Sequence, residues 1–146
     1  MPKALRRPIL RTVTPAFTVS VMAYVMREDG RVLLLRHSYM PGWGLPGGVI
    51  DRGEDLVHAI VRETWEEVGL VVEVTERPTY SFDPHDRIVR FIANARLVEG
   101  GDADSAHASS SEIVEVRWFE PEDLPTLIDA SRIALDALRE TPAESR

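Results

Sequence analysis

The chain has 146 residues, 44% of them hydrophobic and 28% charged, with a formal net charge of −7. That length suits one domain and that composition a folded one, while the acidity argues against a general nucleic-acid binder. The absence of cysteine excludes disulfide scaffolds, thiolate metal sites and cysteine nucleophiles, and the four scattered histidines form no paired-histidine zinc motif.

Residues 1–14 carry Lys3, Arg6, Arg7 and Arg11 with Pro2 and Pro8, and read as a flexible basic arm ahead of one domain over 15–142. The apolar stretch Ala16 to Met26 is too short to span a membrane and alternates as a strand does, unlike a signal segment. A cytoplasmic protein with no membrane partner is expected. Phe17, Val19, Val21, Ala23 and Val25 share one face of this strand; Thr18, Ser20, Met22, Tyr24 and Met26 share the other. Asp29-Gly30 supplies a tight turn, and Arg31–His37 returns as a second strand. Residues 38–53 hold five of the nine glycines and read as a constrained loop. Glu54–Val68 predicts a helix with Val57, Val61, Thr64 and Val68 toward the core, ended by Gly69.

Strand-like segments then fall at 71–75, 79–82, 88–98 and 113–119. The small polar residues 99–111 read as a mobile connection, and 127–140 as a closing amphipathic helix burying Ile128, Leu135 and Leu138. Strands, helix, strands, helix in that order predict an α/β layered domain with a mixed sheet.

The chemistry is concentrated in Arg62-Glu63-Thr64-Trp65-Glu66-Glu67. On a helix Glu63, Glu66 and Glu67 fall within one sector of about 100°. Three neighbouring carboxylates repel one another unless a cation sits among them, and oxygen-only ligation suits Mg²⁺, with Mn²⁺ as a substitute. A solvated acidic face is the competing reading. The glycine loop ahead of the helix, and Arg62 as a built-in counter-charge, weigh against it.

The run Gly48-x5-Glu54-x7-Arg62-Glu63-Thr64-x-Glu66-Glu67-x-Gly69-Leu70 resembles the Nudix box, G-x5-E-x7-R-E-U-x-E-E-x-G-U, where U is a bulky aliphatic residue. Thr64 departs from the aliphatic type, but it is isosteric with valine and sits on the core-facing stripe, so a small packing effect is expected. Trp43-Gly44-Leu45-Pro46-Gly47-Gly48 is similar to the lead-in common in that family. The resemblance implies an α/β/α sandwich with a mixed sheet. It also implies Mg²⁺-dependent hydrolysis of a nucleoside diphosphate linked to another moiety, such as ADP-ribose, a nucleotide sugar or a (d)NTP, by water attack on phosphorus. A non-catalytic nucleotide sensor on the same fold is the alternative, while the isopentenyl-diphosphate isomerase branch would need a catalytic cysteine.

By the same resemblance, Glu63, Glu66, Glu67 and the Gly47 carbonyl would ligate metal, Glu63 being a further ligand or the group that activates the water. Arg62 would hold the carboxylates in place, and Glu54 would act structurally or through a water. Glu112 is the candidate loop base or further ligand. Outside the box, Arg36, Trp43, Tyr80 and Arg90 are candidates for substrate contact, with Phe82 and His85 in the same hairpin as Tyr80 and Arg90. His58 is expected in solvent without a catalytic role. The partner expected is a small nucleotide rather than nucleic acid, and homodimerisation is left open.

Overall fold

Two strands begin the fold because the sequence alternates and then turns on a glycine. The computed structural model describes residues 14–146, so all but the last residue of the basic arm lies outside the described residues. Strand β1 is Thr18–Met26 and β2 is Val32–His37, joined through Gly30 at φ 88°. The chain continues through β3 (Gly47–Val49), α1 (Leu56–Val68), β4 (Val72–Val74), β5 (Thr79–Asp83), β6 (Ile88–Leu97), β7 (Ile113–Phe119) and α2 (Asp129–Glu140). Short 3-10 turns lie at Ala103–Ser105 and Ala143–Ser145.

The sheet runs β4-β6-β1-β2-β7, with β3 paired to β1 and β5 paired to β6. Among the described strand pairs β1 and β6 run parallel and the others antiparallel, so the sheet is mixed as expected. Both faces are covered. Val21, Ala23, Val25, Leu33 and Leu35 pack with Ala59, Ile60 and Val68 of α1. Tyr24, Val32, Leu34 and Ile92 pack with Ala134, Leu135 and Leu138 of α2. Burial on two faces explains why β2 reads as an unbroken apolar run and not as an alternating one.

Three expectations need correction. The loop expected over 38–53 contains β3, whose Gly48 pairs with Val21, and Gly44 bridges Leu35. Helix α1 turns by roughly one position from the expected stripe: Ile60, Thr64 and Val68 are buried, but Val57 is 44% exposed. Asp55 caps that helix by accepting from the His58 N–H, so Glu54 stands just outside it. The segment 99–111 is anchored. His107 N–H donates to the Val68 carbonyl at 3.1 Å and Ser109 N–H to the Glu67 carbonyl at 2.9 Å, satisfying carbonyls left over at the α1 C-terminus.

Candidate active site

Helix α1 lies across β3, and the contact between them builds the site. A Cβ on Gly48 would stand 2.5 Å from the Glu63 carboxyl carbon, so glycine leaves the room that this carboxylate takes. At Gly47 the obstruction would be the Val21 carbonyl, so sheet packing by itself already requires a glycine there. The Gly47 N–H donates to Glu67 Oε1 at 2.6 Å, tying strand to helix.

Arg62 organises the rest of the box. Its Nε and Nη2 donate to the two Glu54 oxygens at 2.7 and 2.9 Å, a forked pairing. Its Nη1 donates to Glu63 at 2.9 Å and to Glu66 at 3.1 Å, and Nη2 reaches the Val49 carbonyl at 3.3 Å. Glu54 accepts in addition from the Asp51 N–H and faces His58 Nδ1 at 2.7 Å. Glu54 is therefore fully engaged within the protein, held well below the usual carboxylate range chiefly by Arg62.

Glu67 has the opposite environment. It is only 8% exposed, and burial pushes its carboxyl up to about 8. The Gly47 N–H opposes that rise, while Glu63, Glu112 and Glu66 add to it. Burial raises Glu63 as well, against the pull of Arg62. Glu66 is the solvent-facing member, its side chain 53% exposed.

Among the described residues no three His, Asp or Glu side chains are gathered tightly enough to hold an ion as they stand. The donor set nevertheless fits a hard divalent cation. Its members are oxygens only, they repel one another at Glu67, and a dication would offset that repulsion.

The Glu112 charge adds to the rise at Glu67, and the Glu112 carbonyl accepts from the Ser38 N–H at 2.8 Å. Two neighbours escaped sequence reasoning. A register irregularity between Arg36 and His37 sets His37 opposite Ile113, and its ring lies 5.1 Å from that of Tyr39. Burial pushes His37 down against the pull of Glu112, and burial, Glu112 and Glu67 together raise Tyr39. Neither residue belongs to a motif, so only the fold brings them to Glu112.

The remaining candidates are dispersed. Trp43 packs edge-on against Phe119 at 4.9 Å, with Arg36 and Arg117 over its ring at 5.4 and 5.3 Å. Its backbone bonds Thr126 and Ile128, so it pins the glycine loop to the start of α2. Arg36 also reaches Glu115 at 3.5 Å. Tyr80 and Phe82 are 61% and 55% exposed, and Tyr80 meets the Phe91 ring on the face that α1 packs against. Arg90 pairs with Ser81 and so points to the other face, while His85 is exposed in the turn. The hairpin residues expected together are thus split by strand alternation. His58 is exposed and serves Glu54.

Comparison with known proteins supplies the context. The family model for the NUDIX domain matches residues 16–139. A MutT-like protein of Streptomyces ambofaciens is 34% identical over 120 residues, covering 82% of this chain and 75% of that protein. An ADP-ribose pyrophosphatase of Methanocaldococcus jannaschii is 28% identical over 123 residues, covering 79% and 70%. The crystal structure of a NUDIX hydrolase from Nitrosomonas europaea is similar with a TM-score of 0.70 and 28% identity, over 88% of this chain and 76% of that one.

Proposed function

The chain belongs to the Nudix family of hydrolases, and on that premise we propose that it cleaves the diphosphate bond of a nucleoside diphosphate linked to a second moiety. Water attacks phosphorus, and the products are a mononucleotide with a phosphorylated second moiety, or with pyrophosphate where the substrate is a triphosphate. The observation that carries this reading is Glu67: a carboxyl buried against Gly47, pushed up to about 8, with two further box carboxylates beside it. A solvated acidic face does not bury its central member.

Glu63, Glu66 and Glu67, with the Gly47 carbonyl, would hold the divalent ion that the family uses; Mg²⁺ is the species proposed. When bound, such an ion neutralises phosphate charge and acidifies water. Around it the chain's own groups do three things. Arg62 fixes the directions of Glu63 and Glu66 while Glu54 fixes Arg62. Glu112, exposed just ahead of β7 and raising Glu67 by its charge, would take the proton from the attacking water. The Gly47 N–H holds Glu67 in register with the sheet.

The test is a panel of nucleotide sugars, ADP-ribose and (d)NTPs, with Mg²⁺, Mn²⁺ or a chelator, read by mass spectrometry. Glu66→Gln is expected to lower turnover by about 100-fold or more, since even residues that merely support metal ligands cost 10–100-fold. Its thermal midpoint should hardly move, because Glu66 is the exposed member of the cluster. Failure of the parent protein to cleave any of the panel with metal present would favour the sensor alternative.

A further inference from the structure

Strand β5 lies at the edge of the sheet with one side open, and we propose that this side pairs antiparallel with β5 of a second copy, closing a two-fold dimer about Ser81. The inference stands on the fold alone and does not depend on the hydrolase reading. Backbone direction carries it. The Arg87 carbonyl accepts from the Thr18 N–H at 2.8 Å, and the Asn94 carbonyl from the Thr75 N–H at 3.0 Å. Alternate residues of a strand direct their backbone groups to opposite sides. Along β6 the odd positions from Arg87 therefore bond toward β1 and the even ones away from it. Ile88, Arg90 and Ile92 thus bond to Asp83, Ser81 and Thr79, the residues opposite them in β5. Tyr80 and Phe82 are left with N–H and carbonyl aimed outward, and among the described residues nothing outside the sheet ladder bonds to these groups.

The edge is complementary to itself. With Ser81 opposite Ser81 of the second copy, Tyr80 faces the copy's Phe82 and Phe82 faces its Tyr80, and every outward N–H meets an outward carbonyl. A shift of two residues either way sets Tyr80 or Phe82 against Pro84 or Pro78, which has no N–H to give. Both rings stand exposed on the face that α1 packs against. Tyr80 already meets Phe91, and Phe82 meets Phe17, at 5.9 and 5.3 Å. Pairing joins these rings into one row across the dimer, and aromatic cross-strand pairs stabilise a sheet. Charge matches as well, since exposed Arg77 comes opposite the strand end and turn of the second copy, where Asp83 and Asp86 outnumber Arg87. The other edges differ. Strand β7 carries Glu115 and Arg117 at its centre and short β4 carries Glu73, charged side chains of the kind that keep an edge single. Between Thr79 and Phe82, β5 has none. A two-fold pairing uses the open side of both copies, so association stops at two. The interface is small, which places the dimer among those that dissociate on dilution.

The experiment follows sedimentation of the full chain over a concentration series, with hydrogen exchange measured at each concentration. The mass is expected to double as concentration rises, and exchange to slow at the Tyr80 and Phe82 amides, which the monomer leaves open. Tyr80→Lys and Phe82→Glu change exposed side chains, so both variants should fold. Each should weaken the dimer about tenfold or more, because every aromatic pair across the two-fold axis is lost. Mixed together, the two should recover it, since the introduced opposite charges stand face to face. If either variant fails to fold, the exchange data on the parent decide alone. A parent that stays monomeric at every concentration overturns the proposal, whether the edge stays open or residues 1–13 cover it. So does a dimer whose Tyr80 and Phe82 amides exchange as fast as the monomer's, which places the interface elsewhere. A mixture of folded variants that recovers nothing overturns it too.

Discussion

Arg62 and Glu67 divide the work of the box, and each can be probed by a single substitution. Arg62 spreads one guanidinium over Glu54, Glu63 and Glu66. A lysine keeps the charge but not the fork, so Arg62→Lys is expected to cut kcat/KM by about 10–100-fold while the fold survives; steady-state kinetics beside a thermal melt checks both halves. Gly48→Ala probes the other side of Glu63. The added Cβ meets the far end of that side chain, which can swing away, so activity should fall far more than thermal stability. Thr64 is fully buried, and its hydroxyl donates to the Ile60 carbonyl at 2.8 Å. That carbonyl lies within the helix, and removing the hydroxyl leaves no buried donor unpaired. Thr64→Val should therefore shift stability by less than about 1 kcal/mol and leave turnover intact.

The elements show what could be read from the sequence and what could not. The box helix was legible because its signals are local, a carboxylate sector and Gly69, at φ 71°, to end it; its cap at Asp55 was not read. Gly69 does more than end the helix, since a Cβ there would stand 2.5 Å from the His107 ring. Gly69→Ala should thus destabilise by at least about 1 kcal/mol and loosen the 107–109 anchor that leads to Glu112, visible as a lower denaturation midpoint. That anchor was not legible, because it consists of backbone bonds to α1 made by residues with no compositional signature. Strand β3 was missed for a related reason: two of its three residues are glycines, which carry no strand preference, and only pairing with β1 makes them a strand. Burial of Glu67 also escaped a wheel drawn with Val57 inward, since the helix is turned toward Glu67.

At the scale of the whole molecule, two helices close opposite faces of one mixed sheet, and the site lies where α1 crosses β3. The net charge of −7 becomes intelligible in part on the proposed reading, in which the box carboxylates would hold a cation that lets an acidic protein handle an acidic substrate. Linkage makes this measurable. Between the ordinary carboxyl value of 4.5 and about 8, folded Glu67 keeps a proton that the unfolded chain has released. The metal-free protein should therefore lose stability as pH rises through that window, and Glu67→Gln should flatten the decline. Glu54 acts in the reverse sense, its contribution being lost as acid protonates it below its ordinary range. A divalent cation that binds only the folded, ionised site should restore stability at the alkaline end. Thermal melts across pH, with chelator and with Mg²⁺, test all three statements.

Attack by water on a phosphorus of a nucleoside diphosphate is tested most directly by cleavage in heavy-oxygen water. Mass spectrometry of the products should find the label in the phosphate of one fragment, with cleavage abolished by chelator. Label in a non-phosphate fragment, or no cleavage of any diphosphate substrate with Mg²⁺ or Mn²⁺ present, would contradict the account.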